Sequence, residues 1–358
     1  MIKTVDRYII KQFFGGFIFA LLLIVSVAMT IDLGEKMNKF VQYDLTFHQV
    51  FMGYYIYFIP YLIGLLGPYF VFITVIYFTS RLSSRSEIIA MFNSGMSFTR
   101  LLYPYILTST ILAIFFWFAI NYIIPYSDVK RLAFENKYIA YQSQSSEAHI
   151  HKRLNDSTFF YLRVYDNLAK TAYNVTLEKI VNSQLLEKVM ADKAVYDTLS
   201  KIWTFEKLFI RTFPNGKEKI DILDSKKYPI NLDPSLLIKR WTHIQELNRN
   251  ELKQLINQLK QQGSDAKLYE IEYHKRTSKC FGIILLTVVG VILASKKVRG
   301  GIGMHLMLGL ALGSVYEIIA KFSDSFALKA SLGVMTAAWL PNILYLLIAM
   351  ILWKKIQE

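Results

Sequence analysis

The stretch FFGGFIFALLLIVSVAMTIDL, residues 13–33, carries one ionisable side chain, Asp32, and that one lies next to its end. Its 21 residues, at about 1.5 Å of rise each, reach about 30 Å as a helix, one hydrocarbon thickness. Five more apolar stretches follow, near 54–79, 101–124, 277–295, 302–322 and 335–353. Between the third and the fourth lies a polar block, residues 126–276. A soluble chain does not carry six such stretches. The expected fold is therefore membrane α-helical, with six transmembrane helices in two halves, 1–125 and 277–358, and an inserted extramembrane domain. The first stretch is too long for a signal peptide and is followed by no convincing small-x-small cleavage site, so it reads as a retained span.

Composition narrows the function. The chain has 358 residues, 53% hydrophobic, and a formal charge of +14. Residues 126–275 hold 24 Lys/Arg and 19 Asp/Glu, which leaves a net +9 on the apolar portion. Such a bias reflects membrane orientation and lipid headgroups, and no reader motif accompanies it, so nucleic acid is not an expected partner. With one cysteine, Cys280, the polar domain has no internal disulfide and must be held by an ordinary core. An even number of spans puts both termini on one side. That side carries Lys3, Arg7, Lys11, Arg81, Arg85, Arg100, Lys296, Lys297, Arg299, Lys354 and Lys355, against Lys36, Lys39, Arg276, Lys279, Lys321 and Lys329 opposite. The positive-inside rule then expects cytoplasmic termini and residues 126–276 outside the cytoplasm.

Inside the spans, Pro60 and the Gly64-x-x-Gly67-Pro68 cluster suggest a kink or broken turn. Gly309-x-x-x-Gly313 matches a close-packing pattern that also arises by chance. Glu317 is a costly intramembrane carboxylate, a functional candidate unless it pairs with Lys321 four residues on. His305 reads as interfacial.

In the polar block, residues 126–145 continue the third span as a helix. From 157 the period becomes two: Phe160, Leu162 and Val164 alternate with Tyr161, Arg163 and Tyr165. Val175 and Leu177, then the runs 189–196 and 202–212, repeat it, and Pro214-Asn215-Gly216 signals a tight turn. This predicts an antiparallel sandwich or roll. After Pro234 a helical period returns, with Leu247, Leu252, Leu255, Ile256 and Leu259 on one side up to Gly263.

No catalytic signature is present. The chain has no phosphate loop. Gly300-Gly301-x-Gly303 follows no strand of a βαβ unit. His149-x-His151 has no third ligand at metal spacing. Asn155-x-Ser157 and Asn174-x-Thr176 match a glycosylation triplet of low specificity. No cofactor, metal or enzymatic activity is expected. The loop between spans two and three says more. Ser86-Glu87 can start a short helix and Gly95 can end it, carrying Ile88, Ile89, Met91 and Phe92 beside the Glu87 carboxylate and Arg85. Such a helix suits a socket on a soluble partner, with Glu87 meeting an arginine, or equally a bed of lipid headgroups.

Several segments resemble one family. Asp6-Arg7-Tyr8-Ile9-x-Lys11-x-Phe13 is similar to the start of the first span of the lipopolysaccharide-export permeases of the LptF/LptG (YjgP/YjgQ) type. Arg81-Leu-x-x-x-Ser86-Glu87-Ile-x-Ala90 through Gly95-Met-Ser97 resembles their coupling helix. Glu270 to Arg276, with His274, resembles the approach to their fourth span, though Ser278-Lys279-Cys280 stands where a proline is common. Arg299-Gly-Gly-Ile-Gly303 and Ala338-Trp339-Leu340-Pro341-Asn342 match their last two spans. The resemblance runs in order along nearly the whole chain.

It implies a permease subunit of an ABC transporter in the inner membrane, paired as the family usually is with a second, related but different permease in a heterodimer, and driven by a cytoplasmic ATPase dimer. The inserted domain would be a periplasmic all-β jellyroll that passes lipopolysaccharide to bridge proteins of similar build. Glu87 would be the carboxylate docked in the ATPase, with Arg85, Ile88, Met91, Phe92 and Gly95 around it. A cavity that is greasy within and basic at its rim would suit the lipid, with Lys36, Lys39, Lys321 and Glu317 as headgroup contacts; the bland role of these lysines is as snorkelling anchors. The other classes weighed are a membrane-anchored scaffold and a lipid-modifying envelope protein.

Overall fold

The computed structural model describes residues 3–139, 148–155, 157–166, 169–181, 184–197, 200, 202–213, 218–230, 241–261, 265–298, 300–329 and 332–357. The Pro214-Asn215-Gly216 turn, Pro234, Gly263, Arg299 and the end of the helix expected over 126–145 lie outside them. In chain order the elements are α1 (Thr4–Gln42), α2 (Phe47–Val50), α3 (Ile56–Ser84), α4 (Glu87–Asn93), α5 (Phe98–Phe118) and α6 (Ile124–Phe134). Six strands follow: β1 (Ala148–Arg153), β2 (Thr158–Asp166), β3 (Thr171–Val181), β4 (Gln184–Asp197), β5 (Ile202–Thr212) and β6 (Lys219–Tyr228). The chain closes with α7 (Trp241–Glu246), α8 (Arg249–Gln261), α9 (Lys267–Ser295), α10 (Gly301–Lys329) and α11 (Val334–Gln357). They form two compact units, one of residues 1–139, 244–253 and 267–358, the other of 140–243 and 254–266.

Among the described residues, the helical unit contains six helical stretches long and apolar enough to cross a membrane. All six coincide with the apolar runs read from sequence, so the expected six-span class is borne out. The second and third stretches are not regular α-helix throughout. π-Turns occupy Phe51–Tyr55, Ala119–Ile123 and Glu135–Ile139. The middle one has a local cause: Pro125 has no N–H for the carbonyl of Asn121 and its ring crowds that turn, which the wider π-turn relieves. Glycine lets helices touch at Gly64, Gly67, Gly282 and Gly309. A Cβ on Gly67 of α3 would fall 2.2 Å from Cζ of Phe116, and one on Gly309 of α10 would fall 2.2 Å from Cδ1 of Ile76. Gly313 leaves ordinary spacing to Phe72, 3.5 Å, so only the first glycine of the Gly-x-x-x-Gly pair is needed for close approach.

Polar side chains knit the last three spans. Asn342 donates through Nδ2 to the carbonyl and hydroxyl of Ser278, both at 2.8 Å, and accepts from the Tyr316 hydroxyl at 2.9 Å. His305 is buried and bonded to the Ser80 hydroxyl at 2.7 Å. Near the start of α10, the His305 ring turns into the bundle, where α3 offers it the Ser80 hydroxyl.

The sheet unit is all-β in its strands, joined antiparallel in the order β1 to β6. The sheet is curled. Phe160 of β2 lies 5.9 Å from Trp203 and 6.4 Å from Phe205, both on β5. Two strands intervene, and a flat sheet would separate β2 from β5 by about 14 Å. The apolar side is thus the inside of a roll, filled by Leu162, Val175, Val189, Ala191 and Leu208 as well.

A crease explains the curl. Along β5 the buried apolar residues are Trp203 and Phe205, then Leu208 and Ile210; along β3, Ala172 and then Val175; along β4, Val189 and Ala191, and then Ala194. In each strand the alternation slips by one. The slips fall on one line across the sheet, through Arg163, Asn174, Asp192, Lys207 and Asp224, which the ladders on either side bracket. Asn174 and Lys207 have φ of 49° and 52°, the left-handed conformation that lets a strand change face. The slip also corrects one sequence expectation: Tyr165, expected outward, is buried against Trp203 at 6.3 Å.

The helix expected after Pro234 divides into α7 and α8. Asn248 starts α8 with a capping box, its Oδ1 accepting from the N–H groups of Asn250 and Glu251 while its own N–H reaches the Glu251 carboxylate at 2.9 Å. Leu252, Leu255, Ile256 and Leu259 are buried as one stripe; Leu247 precedes the helix.

Candidate functional site

The site begins with a two-residue elbow. α3 ends at Ser84, and Ser86 adopts φ 61°, turning the chain so that α4 starts at Glu87. The Ser86 carbonyl accepts the first helical bond, from Ala90 at 3.0 Å, while its hydroxyl accepts from Lys297 Nζ at 3.2 Å rather than capping the helix. At the other end Gly95, with φ 86°, permits the paired closing bonds Gly95 N–H to Phe92 and Met96 N–H to Met91. Ser97 then caps α5 by accepting from the Arg100 N–H. The short helix expected from Glu87 to Gly95 is present.

Its faces are unequal. Ile88 is buried in the bundle core with Leu82 and Leu101. That corrects its expected place among the knobs offered outward: Ile88 anchors the helix. Met91 and Phe92 are half-buried, and Phe92 reaches Phe98 at 6.2 Å, which in turn meets Trp353 of α11 at 5.5 Å. The outward face consists of Ile89, Ala90 and Asn93, flanked by Arg85 and the half-exposed Glu87. The Tyr8 hydroxyl donates to Glu87 Oε2 at 3.1 Å, and Arg85 Nη1 stands 4.0 Å from Oε1. Beneath them Asp6 is buried and bonded to Arg100, tying the first turn of α1 to that of α5. The Tyr8 and Asp6 contacts leave no local signal in the sequence, because the partners lie 79 and 94 positions away.

At the opposite end of α1 the predicted lipid-contact residues fall in two neighbourhoods. Lys36 meets Asp32 at 2.6 Å, Glu135 at 3.2 Å and the Tyr54 hydroxyl, with its ammonium 4.4 Å above the Tyr54 ring. Glu135 also takes Arg131, which is bonded to Asp128 at 3.0 Å and lies over the Tyr61 ring. Lys36 is thus engaged within its own chain. Lys39 is half-exposed and reaches Gln42 at 3.5 Å. α1 and residues 45–55 also enclose an open apolar groove of about 510 Å³, lined by Met29, Leu33, Met37, Leu45 and Phe51 among others. In the second neighbourhood Lys321 is exposed, whereas Glu317 accepts a hydrogen bond from the Tyr69 hydroxyl. Next to Glu317, Lys275 and Asp324 form an ion pair joining α9 and α10.

In the sheet unit the His151 ring lies 4.5 Å from Tyr161; the His149 side chain lies outside the described residues. Among the described residues no three His, Cys, Asp or Glu side chains converge as metal ligands.

Six spans in two halves, an inserted antiparallel roll and a short helix between spans two and three are the parts the resemblance implied. Residues 7–355 match the family described as "Lipopolysaccharide export system permease LptF/LptG". The chain belongs to the LptF/LptG family. No curated protein matches it. The LptF/LptG match covers both halves and the insert, so the reading of a multi-pass inner-membrane permease of lipopolysaccharide transport, itself no catalyst, holds for the chain as a whole.

Proposed function

We propose that this LptF/LptG chain is the membrane half of an ABC transporter that takes lipopolysaccharide from the inner membrane and passes it to a periplasmic bridge. Its termini face the cytoplasm, residues 126–276 face the periplasm, and a cytoplasmic ATPase dimer together with a second permease of the family completes the machine. The observation that carries this is α4: a helix anchored by Ile88, with Glu87 and Arg85 at its outward edge. A soluble ATPase that closes on ATP would push there, and Phe92, Phe98 and Trp353 lie behind the helix to receive the push. The apolar groove beside α1 suits acyl chains, and Lys39 and Lys321 suit the phosphates. Lys36 supports that end by holding Asp32 and Glu135 together, a structural task that its three acceptors favour over headgroup contact. Directional transport then requires the cavity to hold lipid more tightly open than collapsed.

The experiment is to purify the full chain with its ATPase and partner permease. Glu87→Arg should dissociate the ATPase or lower its lipid-stimulated turnover by at least tenfold, since an arginine would then face the partner cation that Glu87 is read to pair with. A fully active complex carrying Glu87→Arg removes the docking reading.

A further inference from the structure

We propose that Tyr8 is a positioning residue for Glu87, holding the carboxylate for its partner and tying α1 to the movement of α4. The inference rests on the docking reading of Glu87. The Tyr8 hydroxyl donates to Oε2 at 3.1 Å, which leaves Oε1 turned toward Arg85 and solvent. A carboxylate fixed at one oxygen has lost part of the rotamer freedom that ion pairing would otherwise remove. The Tyr8 ring is itself braced edge-on against Phe78 at 6.5 Å, and two residues earlier Asp6 is locked to Arg100. The phenol is exposed, and its ring is steadied from one side by Phe78.

The consequence reaches further because of what α1 is. It is one uninterrupted helix of 39 residues, free of proline, and it carries Tyr8 near one end and Lys36 near the other. At about 1.5 Å per residue those two side chains are about 42 Å apart along the axis. Its Tyr8 end is packed into the bundle core through Ile9, Phe13 and Phe17, and farther along the rod fewer side chains are buried within the chain. A displacement of Glu87 therefore reaches, through the Tyr8 hydrogen bond, one end of a continuous rod whose far end carries the wall of the apolar groove.

The test uses the full chain in its assembled complex and follows two readouts, ATPase affinity and lipid release per ATP hydrolysed. Tyr8→Phe keeps the Phe78 contact and removes only the hydroxyl; it should lower lipid release about three- to tenfold, the worth of one partly exposed hydrogen bond to a charged group. In a Glu87→Asp background, where the shortened carboxylate withdraws from Tyr8, adding Tyr8→Phe should change nothing further. The inference is overturned if Tyr8→Phe alone has no effect, if its loss persists undiminished beside Glu87→Asp, or if Tyr8→Phe prevents assembly, since the hydroxyl then serves the fold. A complex insensitive to Glu87→Arg removes the docking reading itself, whereas sensitivity to Glu87→Arg with a silent Tyr8→Phe removes the positioning claim alone.

Discussion

The Ser323 hydroxyl donates to the carbonyl of Ala337 at 2.6 Å, and that carbonyl is the one Pro341 leaves without a helical partner. A proline in a span frees the carbonyl four residues before it, and in hydrocarbon an unpaired carbonyl is expensive. α10 supplies the missing donor to α11, and both groups are buried. Ser323→Ala should therefore lower the stability of the detergent-solubilised chain by about 1–3 kcal/mol, read as a drop in its thermal midpoint, and Ser323→Thr should retain most of it.

Gly67 and Gly15 make a contrasting pair. Alanine at Gly67 would drive a Cβ into the Phe116 ring, whose Cζ and Cε1 stand 2.2 and 2.4 Å from that position, while nothing lies within 4 Å at Gly15. Gly67→Ala should cost about 1–3 kcal/mol through overpacking. Gly15→Ala should be neutral or stabilise by up to about 1 kcal/mol, because alanine is the better helix former. The same melting measurement separates them, and equal effects would refute the packing assigned to α3 and α5.

The crease of the sheet gives a third expectation. Lys207 holds φ 52° where a glycine would be unstrained. Lys207→Gly should leave stability unchanged or raise it by up to about 1 kcal/mol. Asn174→Val, a β-branched residue forced to φ 49°, should lower it by about 1–2 kcal/mol. Hydrogen exchange of β3 to β5 reads the effect locally.

Tyr228 supplies the pH dependence. Burial pushes its phenol up to about 12, and its hydroxyl has no hydrogen-bond partner among the described residues. A raised folded-state pKa means the folded chain keeps the proton more firmly. The associated stability is present below the ordinary value near 10 and is lost as pH rises from there toward 12. Tyr228→Phe keeps the Phe205 ring contact at 4.8 Å. It should match or exceed the parent's thermal midpoint at pH 8 and show a smaller decline between pH 9.5 and 11; an unchanged alkaline decline would contradict this.

What could be read from the sequence follows from how each signal is encoded. The six spans are continuous apolar runs, so composition alone reveals them, and Gly95 announces the end of α4 because few other residues take φ 86°. The strands were legible as a period of two, but the period slips at Asn174 and Lys207, and a slip looks like noise until neighbouring strands show the same one; hence Tyr165 was placed on the wrong face. Pairings across the bundle were not legible. Ser80 with His305, Lys36 with Glu135 and Tyr8 with Glu87 are separated by 225, 99 and 79 positions, and no local periodicity carries that information. Ile88 was misplaced for a related reason: a short helix with four apolar residues does not say which of them faces the bundle.

Lipid release from proteoliposomes holding the chain, its partner permease and the ATPase, with lipopolysaccharide in the bilayer and a periplasmic acceptor in solution, tests the transport role most directly. ATP should transfer lipid to the acceptor, and Glu87→Arg should abolish the transfer while the six-span chain remains inserted and folded. ATP-dependent transfer at the parent rate with Glu87→Arg, or none at all from the unaltered complex, would contradict it.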